Sequence, residues 1–276
     1  MRLIKSKKTL KKVNSITNKI FNEDCFSTMQ KMKQGSCDLV ITSPPYNTSK
    51  TTYSETSFNN YESRYDVYVD TGTQEEYIEK SIFWFKEYDR ILCENGVVLY
   101  NINYGTGYEN TCDNLIRLLF NLLEHTNFMI ADIVCWKKNS AIPNNTSSNK
   151  CTRIWEFVFV LCRKSENKTF ISNKGVKSVS KTGQKFYENI FNFIEAPNND
   201  GICKFNKATF SSKLVLNLLE MYAGQNCEVV YDPFIGTGTT ALGVKLFNEK
   251  YNRDIKYVGS ELSHNQVEFA NDRLSN

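Results

Sequence analysis

The sequence lacks several features that define large classes of protein. The longest apolar runs in its 276 residues fall far short of the roughly 20 residues that a membrane helix needs. No apolar segment of the signal-peptide type follows the first lysines, so we expect no secretion. None of the nine cysteines forms a CxxC pair, which argues against a zinc ribbon and a thioredoxin-type site. These absences predict a cytoplasmic protein with no membrane partner and with reduced cysteines.

Acidic residues are absent from the first 22 positions, which carry seven lysines and arginines. The whole chain has a net charge of +4, so the remainder is net negative. A second basic segment runs from Arg163 to Lys207, where nine basic residues accompany four acidic ones. Clustered positive charge is typical of a protein that binds phosphates. A solvated tail and a solvated loop would have the same composition, and charge alone does not decide between the two.

The order of apolar segments predicts the fold class. Hydrophobic residues make up 41% of the chain and charged residues 23%, which excludes wholesale disorder. Strands alternate with helices, and this predicts an α/β protein with a doubly wound, parallel or mixed sheet. The alternation is lost in a polar, tyrosine-bearing loop at 47–72 and in the segment 163–205. The predicted strands are 19–22, 38–42, 97–100, 128–136, 155–162, 228–231 and 255–259, and the predicted helices are 26–34, 73–92, 111–124, 211–223, 239–249 and 263–274.

A glycine turn between a strand and a helix is the first candidate site. Gly236 and Gly238 let the backbone turn tightly and approach a ligand, and the following helix offers free N–H groups. Asp232 at the end of the strand can hold a positive group, and Glu261 after the next strand suits a ribose diol. A ligand with an amine, a carboxylate and a ribose fits better than a dinucleotide, and S-adenosylmethionine is such a ligand. The alternative is a tight turn with no ligand.

The segment Ser43–Tyr46 (SPPY) at the end of another strand is the second candidate site. Its two prolines fix the backbone, so that the neighbouring carbonyls point one way. Ser43 and these carbonyls could accept hydrogen bonds from an amino group, while Tyr46 stacks on a planar heterocycle. A rigid turn with a packed tyrosine is the alternative. In the weaker candidate at 22–25, Asp24 could accept from an adenine amino group, although an ordinary turn explains this segment as well.

Together, these elements resemble the β class of amino DNA methyltransferases, which methylate exocyclic nitrogens. That family shows an N/G-D-C element, then D/N/S-P-P-Y/W, and later D-P-F-x-G-x-G-T/S-T, a permuted order with the catalytic half first. The chain has these elements at 22–25, 43–46 and 232–240. The likeness includes the segments 94–99, 133–139 and 153–158, and it covers most of 20–162 and 206–276. The family often has H-P-A-x-F-P before the helix that precedes the glycine turn, and this chain keeps only Ala208 and Phe210.

The resemblance implies a Rossmann-like class I methyltransferase fold, with a mostly parallel sheet and helices on both faces. It implies S-adenosylmethionine as cofactor and no metal. The implied domains are a basic flexible arm at 1–19, a methyltransferase domain at 20–163 and 206–276, and a target-recognition insert at 164–205. The implied catalytic residues are Ser43, Pro44, Pro45 and Tyr46. The implied cofactor-binding residues are Asp24, Cys25, Phe210, Ser211, Asp232, Pro233, Phe234, Gly236, Gly238, Thr239, Thr240 and Glu261.

The implied reaction moves a methyl group to the exocyclic amino group of a base that has been flipped out of double-stranded DNA. In this family, serine at the first position of the catalytic motif leans toward cytosine N4, and Asp or Asn toward adenine N6. Ser43 therefore predicts a site-specific cytosine-N4 methyltransferase, with an adenine-N6 enzyme as the alternative and an inactive DNA-binding subunit as a further one. RNA and protein-glutamine methyltransferases usually have the cofactor motif first. A cognate restriction endonuclease and a homodimer are the other partners that the resemblance suggests.

Overall fold

The structure is a computed structural model that describes residues 16–47, 72–103, 112–141, 143–145, 148–201 and 209–275. Most of the predicted arm and of loop 47–72 lies outside these residues, as does Ala208. The strands are β1 (Lys19–Asn22), β2 (Cys37–Thr42), β3 (Leu92–Ile102), β4 (Phe128–Lys138), β5 (Trp155–Arg163), β6 (Val176–Val179), β7 (Lys185–Tyr187), β8 (Phe193–Ala196), β9 (Val229–Asp232) and β10 (Lys256–Glu261). The helices are α1 (Cys25–Lys31), α2 (Gln74–Ile91), α3 (Cys112–His125), α4 (Ser212–Tyr222), α5 (Thr239–Tyr251) and α6 (His264–Ser275).

The main sheet has eight strands among the described residues, in the order β1-β10-β9-β2-β3-β5-β4-β8. Adjacent strands pair in parallel except at β5, which runs antiparallel to both β3 and β4. Strands β6 and β7 form a separate antiparallel ribbon. The predicted α/β fold with a mostly parallel sheet is confirmed.

The two faces of the sheet carry different helices. On β2, Val40 packs in a buried cluster with residues of α1, α2 and α3. Its neighbours Leu39 and Ile41 pack on the other face, with residues of α4 and α5. This alternation follows from the two-residue period of a strand, and it confirms the prediction of helices on both faces. In the described part of the chain, no helix is both long and apolar enough to span a bilayer.

Polar residues fix where the helices near the sheet begin. Thr73 and Glu76 form a capping box at the start of α2, each side chain binding the other's backbone N–H. Ser211 caps α4 by accepting from the backbone N–H of Leu214, at 3.3 Å. These caps explain why both helices begin within a residue or two of the positions that the sequence predicts.

Strand β3 begins earlier than predicted. The sequence places a turn at 94–96 and starts the strand at 97, whereas the strand runs from Leu92. Its pairing with β2 shifts between Cys37, opposite Leu92, and Leu39, opposite Val97. The residues of the predicted turn therefore form a bulge within the strand, with Asn95 in the left-handed region at φ +64°.

Three short strands occupy the segment 164–205, where the sequence predicts no regular structure. Strands β6 and β7 are exposed along their whole length, so no alternating apolar pattern marks them. Strand β8 pairs with the edge strand β4 of the main sheet, and its Ile194 and Ala196 are buried. The segment thus contributes one strand to the main sheet, and its role as a target-recognition insert stays a prediction.

Candidate active site

The parallel strands bring most of the predicted site residues to one edge of the sheet. Asn22, Glu261 and Asp232 end the neighbouring strands β1, β10 and β9, and Ser43 follows β2. Carboxyl ends of parallel strands meet at the same edge, which is where ligands bind in sheets of this type. Because β5 runs the other way, its second residue, Glu156, lies at this edge too.

The glycine turn depends on two left-handed backbone positions. Gly236 and Gly238 have φ values of +54° and +80°, which only glycine adopts readily. Gly238 is also the N-cap of α5. A Cβ added to Gly238 would lie 2.8 Å from the Cβ of Ala270 in α6. The turn is therefore closed from behind by α6 and has no room for a side chain at Gly238.

Asp232 anchors the glycine turn from within. Its Oδ1 accepts from the Phe234 backbone N–H at 3.0 Å, and its Oδ2 accepts from the Thr240 hydroxyl at 2.5 Å. The carboxyl group is completely buried, and this burial raises its pKa to about 7, although the hydrogen bonds from Thr240 and Phe234 oppose the shift. Asp232 thus ties the end of β9 to the turn at Phe234 and to the first residues of α5 at Thr240.

Glu261 and Asp24 also bind backbone N–H groups beside the strand ends. Glu261 accepts from Gly236 through Oε2 at 3.1 Å, and from Ser263 through Oε1 at 2.8 Å. Asp24 Oδ1 accepts from the Phe26 N–H at 2.9 Å and caps α1. Both carboxylates hold backbone in place at this edge, where the sequence predicts that Glu261 binds a ribose and that Asp24 accepts from an adenine amino group.

The remaining predicted cofactor residues lie in or beside the turn. Pro233, Thr239 and Cys25 are buried, as are Phe210 and Ser211 just before α4. Burial raises the pKa of the Cys25 thiol to about 12, so this cysteine is not a reactive thiolate.

Phe234, which is partly exposed, meets the edge of an aromatic ring from α2. Its ring centroid lies 4.8 Å from that of Trp84 at an interplanar angle of 69°. Sequence reasoning placed Trp84 within the helix predicted at 73–92 and gave it no role.

The SPPY segment holds its two polar side chains together. Pro44 and Pro45 are buried, while Ser43 and Tyr46 are partly exposed. Ser43 Oγ lies 2.7 Å from Tyr46 Oη. The Tyr46 hydroxyl also lies 3.2 Å from Asn101 Oδ1. The prolines thus place a hydroxyl and an aromatic ring side by side at the open edge of the sheet.

A buried carboxylate stands behind this segment. Glu156 is 7% exposed, and its Oε2 lies 3.4 Å from Tyr46 Oη and 3.4 Å from Asn101 Nδ2. Its other oxygen pairs with Lys138, the last residue of β4. Asn101 also donates to the backbone carbonyl of Phe157 at 3.0 Å. Sequence reasoning gave no role to Asn101 or Glu156. A polar residue at the site end of each apolar strand was the available signal.

Comparisons with known proteins agree with this arrangement. A family model described as "DNA methylase", for N6 and N4 methyltransferases, matches residues 37–272. The chain belongs to this family. Among curated relatives, the Type II methyltransferase M.MwoI of Methanothermobacter wolfeii is 26% identical over 88% of this chain, which spans 32% of M.MwoI. The Type II methyltransferase M.HinfI of Haemophilus influenzae is 23% identical over 95% of the chain and 69% of its own length.

Solved structures show the same fold for this DNA methylase. The PvuII DNA methyltransferase (cytosine-N4-specific) aligns with a TM-score of 0.66 at 16% identity, over 92% of this chain and 85% of its own. The complex of M1.HpyAVI with S-adenosylmethionine aligns with a TM-score of 0.55 at 19% identity. The alignment covers 93% of this chain and 98% of M1.HpyAVI. The class I methyltransferase fold predicted from the resemblance is confirmed, and S-adenosylmethionine is the cofactor of the family.

The residues at the strand ends of this methylase fit S-adenosylmethionine. Carboxylates at Glu261 and Asp24 offer acceptors for the ribose and amino groups of that molecule. The turn at Gly236 and Gly238, which Asp232 anchors, brings main chain rather than side chains to it. The contact of each single residue with the cofactor stays a prediction.

Proposed function

We propose that this DNA methylase methylates N4 of cytosine in double-stranded DNA. The observation that carries the proposal is Ser43, whose Oγ lies 2.7 Å from the hydroxyl of Tyr46 at the open edge of the sheet. In the resembled family, a serine at this position leans toward cytosine N4, and Asp or Asn toward adenine N6. The PvuII enzyme, which shares the fold, is named as cytosine-N4-specific, and this supports the same choice.

Tyr46 and Ser43 would receive the flipped base. Stacking on an aromatic side chain contributes about 1–3 kcal/mol per base, which offsets part of the few kcal/mol needed to extrude the base. Ser43 Oγ and the Pro44 carbonyl accept hydrogen bonds from the amino group, which draws the nitrogen lone pair out of conjugation with the ring. Bound S-adenosylmethionine supplies an electrophilic methyl group. Catalysis then rests on positioning and preorganised acceptors.

Glu156 gives the amino group a proton route and holds Tyr46 in place. The methylated nitrogen must release one proton, and the contacts from Ser43 Oγ to Tyr46 Oη and on to Glu156 Oε2, at 2.7 and 3.4 Å, lead away from the base. Lys138 pairs with the other carboxylate oxygen. Glu156 is a positioning residue, because Tyr46 and Ser43 stand between it and the base.

The ribbon of β6 and β7 is the proposed DNA-reading surface. Its strands and turn expose three lysines, Lys177, Lys181 and Lys185, which suit DNA phosphates. Phe186 and Tyr187 are about half exposed beside them, at 48% and 50%. Exposed aromatics interleaved with lysines, on a ribbon outside the main sheet, support the assignment of residues 164–205 to target recognition.

A cytoplasmic place of action, a cognate restriction endonuclease and a homodimer complete the proposal. The first follows from the DNA substrate, and the other two follow from the resemblance to the β class. Sedimentation of the purified chain, alone and with DNA, measures the oligomeric state directly.

Nucleoside mass spectrometry tests the proposed reaction. The chain is expressed in a host that lacks N4-methylcytosine, and host DNA and RNA are digested to nucleosides. We expect N4-methylcytosine in DNA from the wild type and none from Tyr46→Ala or Ser43→Ala. Tyr251→Ala, at the exposed end of α5, is the matched control and is expected to keep full activity.

The other outcomes separate the alternatives. New N6-methyladenine in DNA would keep the site and overturn the choice of base. Methylation confined to RNA would overturn the DNA substrate. No methylation of either nucleic acid, with the protein folded, would favour the inactive DNA-binding subunit.

A further inference from the structure

One ion pair joins the end of the segment 164–205 to the cofactor edge. Asp200 pairs with Arg273 of α6. The same carboxylate accepts from the Ser212 backbone N–H, at 2.8 Å from Oδ1 and 3.0 Å from Oδ2, and from the Ser212 hydroxyl at 3.0 Å. Asp200 therefore holds the first turn of α4, directly after the predicted cofactor residues Phe210 and Ser211.

Arg273 carries this connection to the glycine turn. Its Nη1 donates to the Thr237 carbonyl at 3.4 Å and to Thr239 Oγ1 at 3.3 Å, while Nη2 binds Asp200. Thr237 lies between the two left-handed glycines, and Thr239 is the first residue of α5. The guanidinium thus contacts two residues in and directly after the turn, in addition to the contacts that Asp232 makes to Phe234 and Thr240.

We infer that Asp200 and Arg273 are positioning residues through which the end of the segment 164–205 sets the shape, and hence the cofactor affinity, of the glycine turn. A turn with two glycines at positive φ is intrinsically mobile, so its N–H groups point in one direction only while neighbouring side chains restrain it. Asp232 and Glu261 provide two of these restraints from the strand ends. Arg273 provides the third, and it is held in place by a residue from outside the turn.

The inference rests on S-adenosylmethionine as the cofactor and is independent of which base is methylated. It predicts that losing this ion pair weakens cofactor binding more than losing a comparable ion pair elsewhere in the chain. A comparable pair lies at the last residue of β5, at the edge of the sheet opposite the active site. There Arg163 binds Asp89 at 2.5 Å. The Arg163 and Asp89 side chains are 16% and 24% exposed, against 19% and 23% for Arg273 and Asp200. Asp89→Asn is therefore a control matched in burial and chemistry.

Equilibrium dialysis with labelled S-adenosylmethionine tests the inference on the full chain. We expect Asp200→Asn and Arg273→Gln each to raise the Kd about five- to tenfold. The double variant should bind no more weakly than either single one, because both substitutions remove the same connection. Asp89→Asn should leave the Kd unchanged even where its loss of thermal stability equals that of Asp200→Asn.

Three results would overturn the inference. An unchanged Kd in Asp200→Asn would show that the turn is held without the pair. Additive effects in the double variant would show two independent roles. An equal rise in Kd for Asp89→Asn would show that general loss of stability, rather than this contact, weakens binding. Failure of the wild type to bind would contradict the cofactor itself, which is a different and distinguishable result.

Discussion

The two halves of the active site are held together in different ways. In the glycine turn, Asp232 binds Phe234 and Thr240, which are close to it in sequence. In the SPPY segment, Tyr46 reaches Asn101 on β3 and Glu156 on β5. The main anchor of the first half thus lies in the same stretch of chain as the turn, and Glu261 and Arg273 add restraints from later in the chain. The second half needs three strands in register.

Because of this difference, we expect different substitutions to impair each half of the site. A turn with two glycines at positive φ is sensitive to an added side chain, because most other residues adopt this backbone conformation only with strain. A hydrogen-bonded group assembled from distant strands tolerates small backbone changes but depends on its buried charge being satisfied. Cofactor binding should therefore respond to substitutions in the turn, and turnover to substitutions behind the SPPY segment.

The largest effect is expected from Gly238→Ala. The alanine would have to adopt φ near +80°, and its Cβ would lie 2.8 Å from the Cβ of Ala270. The turn must therefore move. Misplacement of a binding group by about 1 Å can cost about 100-fold, and we expect a loss of that order in cofactor affinity. Equilibrium dialysis with labelled S-adenosylmethionine measures it.

Gly183→Ala is the matched control for this substitution. Gly183 has a similar φ of +85°, but nothing lies within 4 Å of its added Cβ. Only the backbone strain of roughly 1 kcal/mol remains, on the β6–β7 ribbon. Cofactor affinity should be unchanged in this variant, and equal losses in the two variants would contradict the account of the turn.

A smaller effect, on turnover, is expected from Glu156→Gln. The amide removes the charge that pairs with Lys138 and weakens the acceptor behind Tyr46. We expect kcat for DNA methylation to fall about tenfold, which corresponds to ~1.4 kcal/mol, while the Kd for S-adenosylmethionine stays constant. A single-turnover methylation assay at saturating cofactor measures the change.

Glu195→Gln, on the edge strand β8, provides the control. Glu195 pairs with Lys137 at 2.9 Å, but the two side chains are 54% and 40% exposed. Exposed pairs of this kind contribute about 0–1 kcal/mol, so we expect turnover within about twofold of the wild type. If Glu156→Gln kept full activity, or lost cofactor binding instead, the division of labour between the two halves would be wrong.

Most of the fold was predictable from local patterns. The strand before the glycine turn, the turn itself and the helix after it follow one another in sequence, so period and glycine placement identify them. Strands β6 and β7 were not predicted, because all their residues are exposed and no apolar alternation marks them. Strand β8 was not predicted, because its four residues gain their burial only by pairing with β4.

The site was predictable to the extent that its contacts are local. Ser43, Tyr46 and Asp232 belong to short motifs that a single sequence displays. Glu156 and Arg273 carry no such signal, because their partners lie 110 and 73 residues away along the chain. Only the sheet order and the packing of α6 bring these groups together.

For Asp232→Asn we predict a change in the pH dependence of stability rather than in activity. Burial raises the pKa of Asp232 to about 7 in the folded chain, against 3.8 for the ordinary group. The folded state therefore binds the proton more tightly than the unfolded state, and the contribution of this group to stability falls as pH rises from about 4 to 7. An asparagine keeps the acceptor for the Phe234 N–H and carries no charge at any pH.

We therefore compare the free energy of unfolding of Asp232→Asn with that of the wild type at pH 5 and at pH 8. The difference, variant minus wild type, should increase between these pH values by an amount on the order of 2 kcal/mol. Urea unfolding at the two pH values measures this difference, and Asp254→Asn, at an exposed position on the loop before β10, serves as the control with no such gain. A parallel pH dependence in the wild type and Asp232→Asn would mean that Asp232 is already ionised in the folded chain at pH 5. The turn would then be held by a buried charge, as the SPPY segment is, and the contrast between the two halves would reduce to the distance along the chain between partners.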